Sequence, residues 1–590
     1  MHCVSTEWNT TMSRCRDAPW HVSTERKYKT IMNRKKWYIK LSLSILSGLL
    51  LAFAWYPHGF AFLIFFAIVP LLWLSDISLK EGKRNAFGLG ILLFYPAFLV
   101  FNLITTYWIA YCTLPGAAAA IIANSLLQTL TFSAWHACRK QVKNKVLQAI
   151  ILIAFWISFE YLHLNWDLTW PWLNLGNVFA TIPWIVQWYS ITGAFGGAVW
   201  ILVSNFLIYY ILRYIGSPKR YQIEHRKSLI INAVALGLWF ILPAGTSFLM
   251  RIWVDKHVES DTPIEAIIVQ QNTDPWNEEY RLTNEQHIQR ILDVAQPFMN
   301  KRINLVVTPE SSVSHTIEMG TLRNHTFMEG DTRFEGFALL DSVIAIYPNI
   351  NYVLGLSTVS ISDHKISPVA QECNPGQFME FYNTAGFYNK NGLVGHYHKS
   401  RLVPGVEKMP FPKVFGFLEN AIIELGGSNS SLGTDTAQRV FEFEVDGKKV
   451  RVGTGICYES IYGELMGRFV RNGANVLCVI TNDSWWDDSP GHRQHFEMAR
   501  LRAVETRRYV LRAANGGFSG IIAPTGSVLM STKYGERTAI HTRVGAQTHE
   551  TFYVKHGDYI ARIAVIFAAF GLLWTLVQRI VRGKTKKHCS

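Results

Sequence analysis

Charge is scarce in this chain. Asp, Glu, Lys and Arg make up 17% of its 590 residues, against about 25% in an ordinary soluble domain. Hydrophobic residues reach 49%, and the excess lies before residue 255 and after residue 557. That distribution excludes a uniformly soluble protein and separates a membrane part from a water-facing part. Paired cysteine spacing is also missing. Of the eight cysteines, only Cys373, Cys457 and Cys478 fall in the water-facing part, and an odd number there does not read as a disulfide framework. There is no zinc-finger spacing and no basic stripe with interleaved aromatics, so the net charge of +14 does not point to nucleic acid as a partner. The first 31 residues are polar and lack the apolar core of a signal peptide. Met32, just before Asn33-Arg-Lys-Lys36, reads as an alternative start, and residues 1–31 are expected to be dispensable.

What is present, first of all, is a set of apolar runs near the length of about 20 residues that spans a bilayer. They lie at 39–55, 60–74, 87–111, 117–135, 146–162, 191–214, 229–248 and 560–580. The first two are short and separated only by 56–59, which predicts a tight membrane hairpin. Lys and Arg collect at 34–36, 80–84, 139–145, 219–227 and 582–587, while the alternate loops around Pro57, 113–116 and 164–181 carry none. This bias places both termini in the cytoplasm and residues of about 255–555 outside. The expected division is a cytoplasmic extension (1–36), a membrane domain of seven spans (37–254), an extracytoplasmic catalytic domain (255–556), an eighth span (557–582) and a cytoplasmic tail (583–590). Trp170-Pro-Trp-Leu-Asn-Leu-Gly176 fits either an interfacial aromatic belt or a floor for a lipid substrate.

The water-facing part changes pattern. Strands are expected at 264–271, 303–307, 352–359, 382–388, 393–398, 450–454, 475–481, 510–514 and 520–523. Helices are expected at 283–296, at 494–506 and from Cys457 to about 471. Asn389-Lys-Asn-Gly392 between two strands is a hairpin signal. Alternating strands and helices with antiparallel hairpins imply a layered α/β sandwich.

Three residues there carry chemistry. Cys457, in Gly455-Ile-Cys-Tyr-Glu459, follows a strand and is expected to open a helix, where N–H groups and the dipole favour a thiolate nucleophile. Glu310 follows Val306-Val-Thr-Pro309 and is placed to act as general base. Lys399 follows the hairpin strand and can stabilise an oxyanion. Singly, each has a plainer reading: a packing cysteine, a solvated carboxylate, a surface lysine. Strand ends on one edge of a sheet converge, and together the three are the parts that covalent acyl transfer needs.

At this point the sequence resembles the carbon–nitrogen hydrolase (nitrilase) superfamily, whose catalytic set is Glu, Lys and Cys in this order. With its flanking spans it resembles the apolipoprotein N-acyltransferase family. The resemblance is carried by Thr308-Pro-Glu310, Tyr382-Asn383, Tyr397-His-Lys399 with Leu402-Val-Pro404, Gly455-Ile-Cys-Tyr-Glu459, Thr481-Asn-Asp-Ser-Trp485, Gln494-His-Phe496 with Met498-Ala-Arg500, Arg512-Ala-Ala-Asn515 and Pro171-Trp-Leu-Asn-Leu-Gly176. It implies a nitrilase-like αββα sandwich on a base of about eight transmembrane helices, with Glu310, Lys399 and Cys457 catalytic. Glu407, Tyr458 and Glu459 take supporting positions, and Trp276, Trp485 and Asn482 take substrate-binding ones. It implies no metal and no other cofactor, a phospholipid acyl donor, a diacylglyceryl apolipoprotein acceptor and a monomer in the bilayer of a bacterial inner membrane. The catalytic domain would be periplasmic and the termini cytoplasmic. A membrane-anchored amidase is the alternative. One departure stands out: the family's Leu-Val-Pro-Phe-Gly-Glu is here Leu402-Val-Pro-Gly-Val-Glu407, which keeps the spacing but moves the glycine. The pairs His396/His398 and His492/His495 lack a third ligand of suitable spacing for a metal. The apolar stretch 409–423 reads as a core helix or as a lid that dips into lipid.

Overall fold

Residues 19–81, 86–257, 262–324, 335–412 and 431–588 are described by a computed structural model. Among them, eight helical segments are long and apolar enough to cross a bilayer: Lys36–Ala54, Ala61–Lys80, Ala86–Tyr111, Leu114–Cys138, Lys145–His163, Ala194–Ile215, Arg226–His257 and Tyr559–Val581. They coincide with the eight expected runs. Their starts have local causes: Thr113 accepts from the N–H of Gly116 at 3.4 Å and Asn144 from that of Leu147 at 3.1 Å, as N-caps do. The second span is broken into a 3-10 turn, Ala61–Phe65, and a helix, Val69–Lys80. Backbone groups freed at such a break need partners inside the bundle, and Asn205 of the sixth span supplies them, accepting from Ile68 N at 2.8 Å and donating to Ile64 O at 2.9 Å. The seventh span runs along the outside of the bundle; none of its most apolar stretch is buried.

The strands form two sheets among the described residues. The first contains β1 (Pro263–Gln270), β2 (Leu305–Val307), β3 (Val313–Glu318), β4 (Asn351–Ser362), β5 (Gln371–Asn374), β6 (Gln377–Asn389) and β7 (Gly392–His398). The second contains β8 (Val440–Val445), β9 (Lys448–Ile456), β10 (Val476–Thr481), β11 (Val510–Ala514), β12 (Gly520–Ile522) and β13 (Val528–Ser531). β14 (Thr538–Gly545) returns to the first sheet, antiparallel to β1. The order is β14-β1-β2-β4-β6-β5, with β3 beside β4 and β7 beside β6, and in the second sheet β13-β12-β11-β10-β9-β8. β1, β2 and β4 run parallel, as do β9, β10 and β11.

The two-residue period of a strand divides the packing. In β1, Ile264, Ala266 and Ile268 belong to the core between the sheets, while Ile267 and Val269 face the helices Asn284–Ala295 and Glu335–Ile346. On the far side of the second sheet pack the helices Gly463–Arg471 and Pro490–Thr506. The result is the αββα sandwich. The helix Asn284–Ala295 starts where its sequence says it should: Thr283 and Gln286 form a reciprocal capping box.

The sequence expectations need two corrections. β3, β5, β8, β13 and β14 were not anticipated, because their short or polar runs lack the apolar pattern of a buried strand. Cys457 does not open an α-helix: a single 3-10 turn, Cys457–Ile461, intervenes, and the helix begins at Gly463. Residues 1–18 of the expected extension and 413–423 of the apolar stretch lie outside the described residues.

The sandwich sits on one end of the bundle through polar as well as apolar contacts. Gln494 donates to the carbonyls of Tyr56 at 2.8 Å and Thr105 at 3.1 Å and accepts from the indole of Trp172 at 2.6 Å. Trp172 is buried among Trp108, Trp170 and Trp486. The stretch 170–176 is therefore a floor under the sandwich, not an exposed belt.

Candidate active site

Glu310, Lys399 and Cys457 each come directly or nearly directly after a strand, β2 and β7 of the first sheet and β9 of the second, and the fold brings them near enough that the Glu310 and Lys399 charges act on the thiol. Lys399 Nζ lies 3.0 Å from Glu310 Oε1 and 2.8 Å from Glu407 Oε1. It is 1% exposed, so the ammonium is held wholly by protein groups. Glu310 also accepts from the side-chain amide of Asn383 at 2.6 Å and from the backbone N–H of Asn482 at 2.9 Å. Asn383 bridges to Glu407 Oε1 at 3.2 Å, and its carbonyl accepts from the Lys399 N–H at 2.8 Å.

Glu407 reaches the lysine because residues 403–408 fold back on themselves. Glu407 N donates to Val403 O at 2.9 Å, and Gly405 N donates to Lys408 O at 2.8 Å, with Gly405 at φ +80°. The displaced glycine thus sits where the turn requires a positive φ, and the carboxylate accepts from Val403 N at 2.8 Å. The same loop is tied to the bundle: Asp167 accepts from Phe411 N at 3.0 Å and lies 3.6 Å from Lys408 Nζ.

Glu459 welds the Cys457 turn to the lysine's strand. It accepts from Tyr397 Oη at 2.6 Å, from the Ser400 N–H and hydroxyl at 2.7 Å each, and from Ile456 N at 2.8 Å. Tyr458 donates to Thr169 O at 2.7 Å, fixing the residue after the cysteine to the membrane domain.

The electrostatics correct the thiolate expectation. Burial pushes the Cys457 thiol well above its ordinary value, the Glu310 carboxylate pushes it further, and the Lys399 ammonium only partly opposes them. With no α-helix starting at Cys457, the dipole argument also lapses. The resting site therefore holds a neutral thiol beside a carboxylate and an ammonium. Burial works against the charge on Lys399 too, but Glu310 and Glu407 outweigh it and raise the lysine well above its usual range. Such an arrangement has a carboxylate able to accept a thiol proton and a cation able to face an oxyanion.

The remaining expected residues are distributed as follows. Trp276 is exposed and packs edge-on against Trp485, ring centroids 4.9 Å apart. Asn482 is buried, its backbone N–H on Glu310 and its side chain on Glu279 Oε2 at 3.0 Å. His398 bonds Thr384 Oγ1 at 2.8 Å and stacks on Tyr382, while His492 lies 3.2 Å from Asp488. Sequence reasoning gave no role to Asn383 or Glu279. Asn383 stands out in the sequence only as part of the segment Tyr382-Asn383, and Glu279 lies in a loop dense in polar residues.

Glu279 gives a test of this electrostatic picture. Burial, and to a lesser degree the nearby Glu310 charge, lift it to about 8 against the Asn482 hydrogen bond. A carboxyl raised in the folded state contributes stability that is present below its unfolded value and is lost as pH rises toward the folded one. Glu279→Gln removes that loss while keeping an acceptor for Asn482. The melting temperature of the variant minus that of the wild type is expected to grow between pH 5 and 8, and a flat difference would contradict the assignment.

Comparison with known proteins covers both halves. Residues 266–551 match the carbon-nitrogen hydrolase family, and residues 47–207 match the apolipoprotein N-acyltransferase N-terminal domain. The chain is 24% identical over 544 residues to an apolipoprotein N-acyltransferase of Chlorobaculum tepidum, covering 91% of this chain and 96% of that one. It is 25% identical over 567 residues to one of Thermotoga maritima, with the same coverages of 91% and 96%. Among solved structures, a Saccharomyces cerevisiae member of the nitrilase superfamily is 18% identical with a TM-score of 0.33, covering 48% of this chain and 91% of its own. An amidase from Nesterenkonia of the same superfamily is 14% identical with a TM-score of 0.34, covering 52% and 98%.

Proposed function

The chain belongs to the apolipoprotein N-acyltransferase family, whose N-terminal domain and carbon–nitrogen hydrolase domain it carries in order, and from that premise we propose how its residues move an acyl chain. The donor is a phospholipid and the acceptor is the α-amino group of a diacylglyceryl-cysteine at the start of an apolipoprotein. The observation that carries the reading is the Lys399 ammonium shared between Glu310 and Glu407 beside a buried, neutral thiol.

In the first half-reaction Glu310 takes the thiol proton as Cys457 Sγ attacks the ester carbonyl. Lysine has three N–H donors. Two serve the carboxylates, and the third, with backbone N–H groups of the Cys457 turn, receives the oxyanion. The tetrahedral species collapses, Glu310 returns the proton to the departing lysophospholipid, and a thioester remains on Cys457. In the second half-reaction the acceptor amine attacks the thioester carbonyl, Glu310 takes its proton, and Cys457 leaves as thiolate and is reprotonated. Both substrates are anchored in lipid, which accounts for a sandwich seated on a bundle of spans. The lysine- and arginine-rich loops support an extracytoplasmic catalytic domain with both termini in the cytoplasm. The enzyme would work as a monomer in a bacterial inner membrane without metal or cofactor.

The test uses the purified full chain and a phospholipid with a labelled acyl group. Without acceptor, a labelled adduct on Cys457 and one lysophospholipid per enzyme are expected. Adding a diacylglyceryl lipopeptide should discharge the adduct as N-acyl product. Ammonia release from small amides with no adduct from phospholipid would favour the membrane-anchored amidase instead.

A further inference from the structure

Cys457 has φ +49°, in the left-handed region that non-glycine residues rarely occupy. Something must hold it there, and the structure shows what touches its carbonyl. Ser460 Oγ donates to Cys457 O at 2.7 Å, and His495 Nε2 lies 3.1 Å from the same oxygen. Nε2 also lies 2.8 Å from Ser460 Oγ; with the Ser460 hydrogen given to the carbonyl, Nε2 carries a hydrogen of its own, shared between that hydroxyl oxygen and the carbonyl, both of which accept. His495 is buried in the helix Pro490–Thr506. Its Nδ1 is 3.0 Å from Asp483 Oδ1, and Asp483 Oδ2 accepts from Arg512 Nη2 at 2.7 Å. Thr481 Oγ1 completes the ring of partners by donating to Asp483 Oδ1 at 2.7 Å. Asp483, His495 and Arg512 are all fully buried. Burial alone would raise the Asp483 carboxyl, yet Arg512 and His495 hold it well below the usual range. This set of charges behind the nucleophile takes no part in the proton transfers described above.

A peptide unit is planar and trans, so its C=O and N–H point in opposite directions. Pinning the Cys457 carbonyl on His495 and Ser460 therefore turns the Tyr458 N–H to the other side. Early N–H groups of a helical turn have no acceptor inside it, which leaves that N–H available to a ligand. We propose that His495, oriented by Asp483 and Arg512, is a positioning residue that aims the Tyr458 N–H at the oxyanion of both half-reactions. This rests on the acyl-transfer reading given above. Gln494, the preceding residue, is bonded to the membrane bundle, so the helix that sets the peptide is itself set by the spans.

The experiment is single-turnover kinetics on the full chain in mixed micelles with labelled phospholipid, followed by a lipopeptide chase. His495→Phe keeps the ring and removes the donor. Both the acylation and the transfer rate constants are expected to fall by the same factor, about 10- to 100-fold, somewhat less than the loss of a whole oxyanion donor because Ser460 remains. The amplitude of adduct formation should stay at one per enzyme. His495→Gln, whose amide N–H has a similar reach, should recover most of the loss. If His495→Phe does not assemble, Ser460→Ala removes the other donor and is expected to lower both rates together by a smaller factor. A fall in amplitude with unchanged rates would mean a purely structural role and would overturn the proposal, as would unequal changes in the two half-reactions. A wild-type enzyme that forms no adduct would instead defeat the acyl-transfer reading.

Discussion

Cys457→Ala is expected to abolish both adduct formation and turnover. Every bond change proposed above passes through its sulfur, so nothing in the site substitutes for it. In sets of groups that act as a unit, losing the nucleophile has lowered turnover by about 10⁶, and a loss of that order reaches the limit of detection here. The hydroxyl of Ser460 is already spent on the Cys457 carbonyl. The protein itself should be undisturbed. The thiol is buried and neutral, so alanine removes no charge on which Glu310 or Lys399 depends. The melting temperature is expected to match that of the wild type, and phospholipid should still bind. Mass spectrometry of the variant after incubation with labelled phospholipid is the direct measurement. Label found elsewhere on the chain, with product still released, would refute the assignment of the nucleophile.

Lys399→Met should also cripple acylation and, unlike the cysteine variant, damage the fold. The ammonium lies between the buried carboxylate of Glu310, 3.0 Å away, and the partly buried one of Glu407, 2.8 Å away. Removing one partner of a buried ion pair costs about 3–5 kcal/mol because the other charge is left uncompensated. Acylation loses its cationic oxyanion donor, worth about 10²–10³, and Glu310 faces a like charge with no cation between them. Adding Glu407→Gln to Lys399→Met removes one of the stranded charges. The double variant is expected to regain part of the lost melting temperature while remaining inactive. Thermal unfolding and the adduct assay on the three proteins separate the two effects. Full activity in Lys399→Met would remove the oxyanion role, and equal stability of the single and double variants would deny that charge repulsion is the cause.

The eight spans were legible because a bilayer fixes both the length and the apolarity of what crosses it. Glu310, Lys399 and Cys457 were legible because each follows an apolar strand, but they do not share a sheet edge as expected: Glu310 and Lys399 follow strands of the first sheet and Cys457 a strand of the second, so the ends meet across the sandwich. The protonation state of the thiol was not. The sequence places Cys457 where a helix dipole would act, but the backbone makes a 3-10 turn first and burial decides the outcome. Glu407 was carried by resemblance alone, since nothing in its local pattern says that Gly405 folds the chain back onto the lysine. Asn383 was hidden because a polar residue inside a strand is ordinarily read as facing water. Asp483 and His495 come from a turn and a helix that are remote from the cysteine in sequence. Arg512 had left a faint trace: an arginine inside Val510-Leu-Arg-Ala-Ala514 is a charge in an apolar strand, a place where arginine is almost never found unpaired.

The floor of tryptophans under the sandwich bears on how this enzyme can be handled. One apolar core runs without interruption from Leu51 and Phe101 in the bundle, through Trp172, to Ile456 and Leu501 in the sandwich. Cutting the chain after the seventh span would tear open an interior, not free a tethered globule. It would strip Gln494 and Tyr458 of the carbonyls they grip. A truncated, detergent-free version should precipitate, and inhibitor screens or crystallisation trials need the whole protein in lipid.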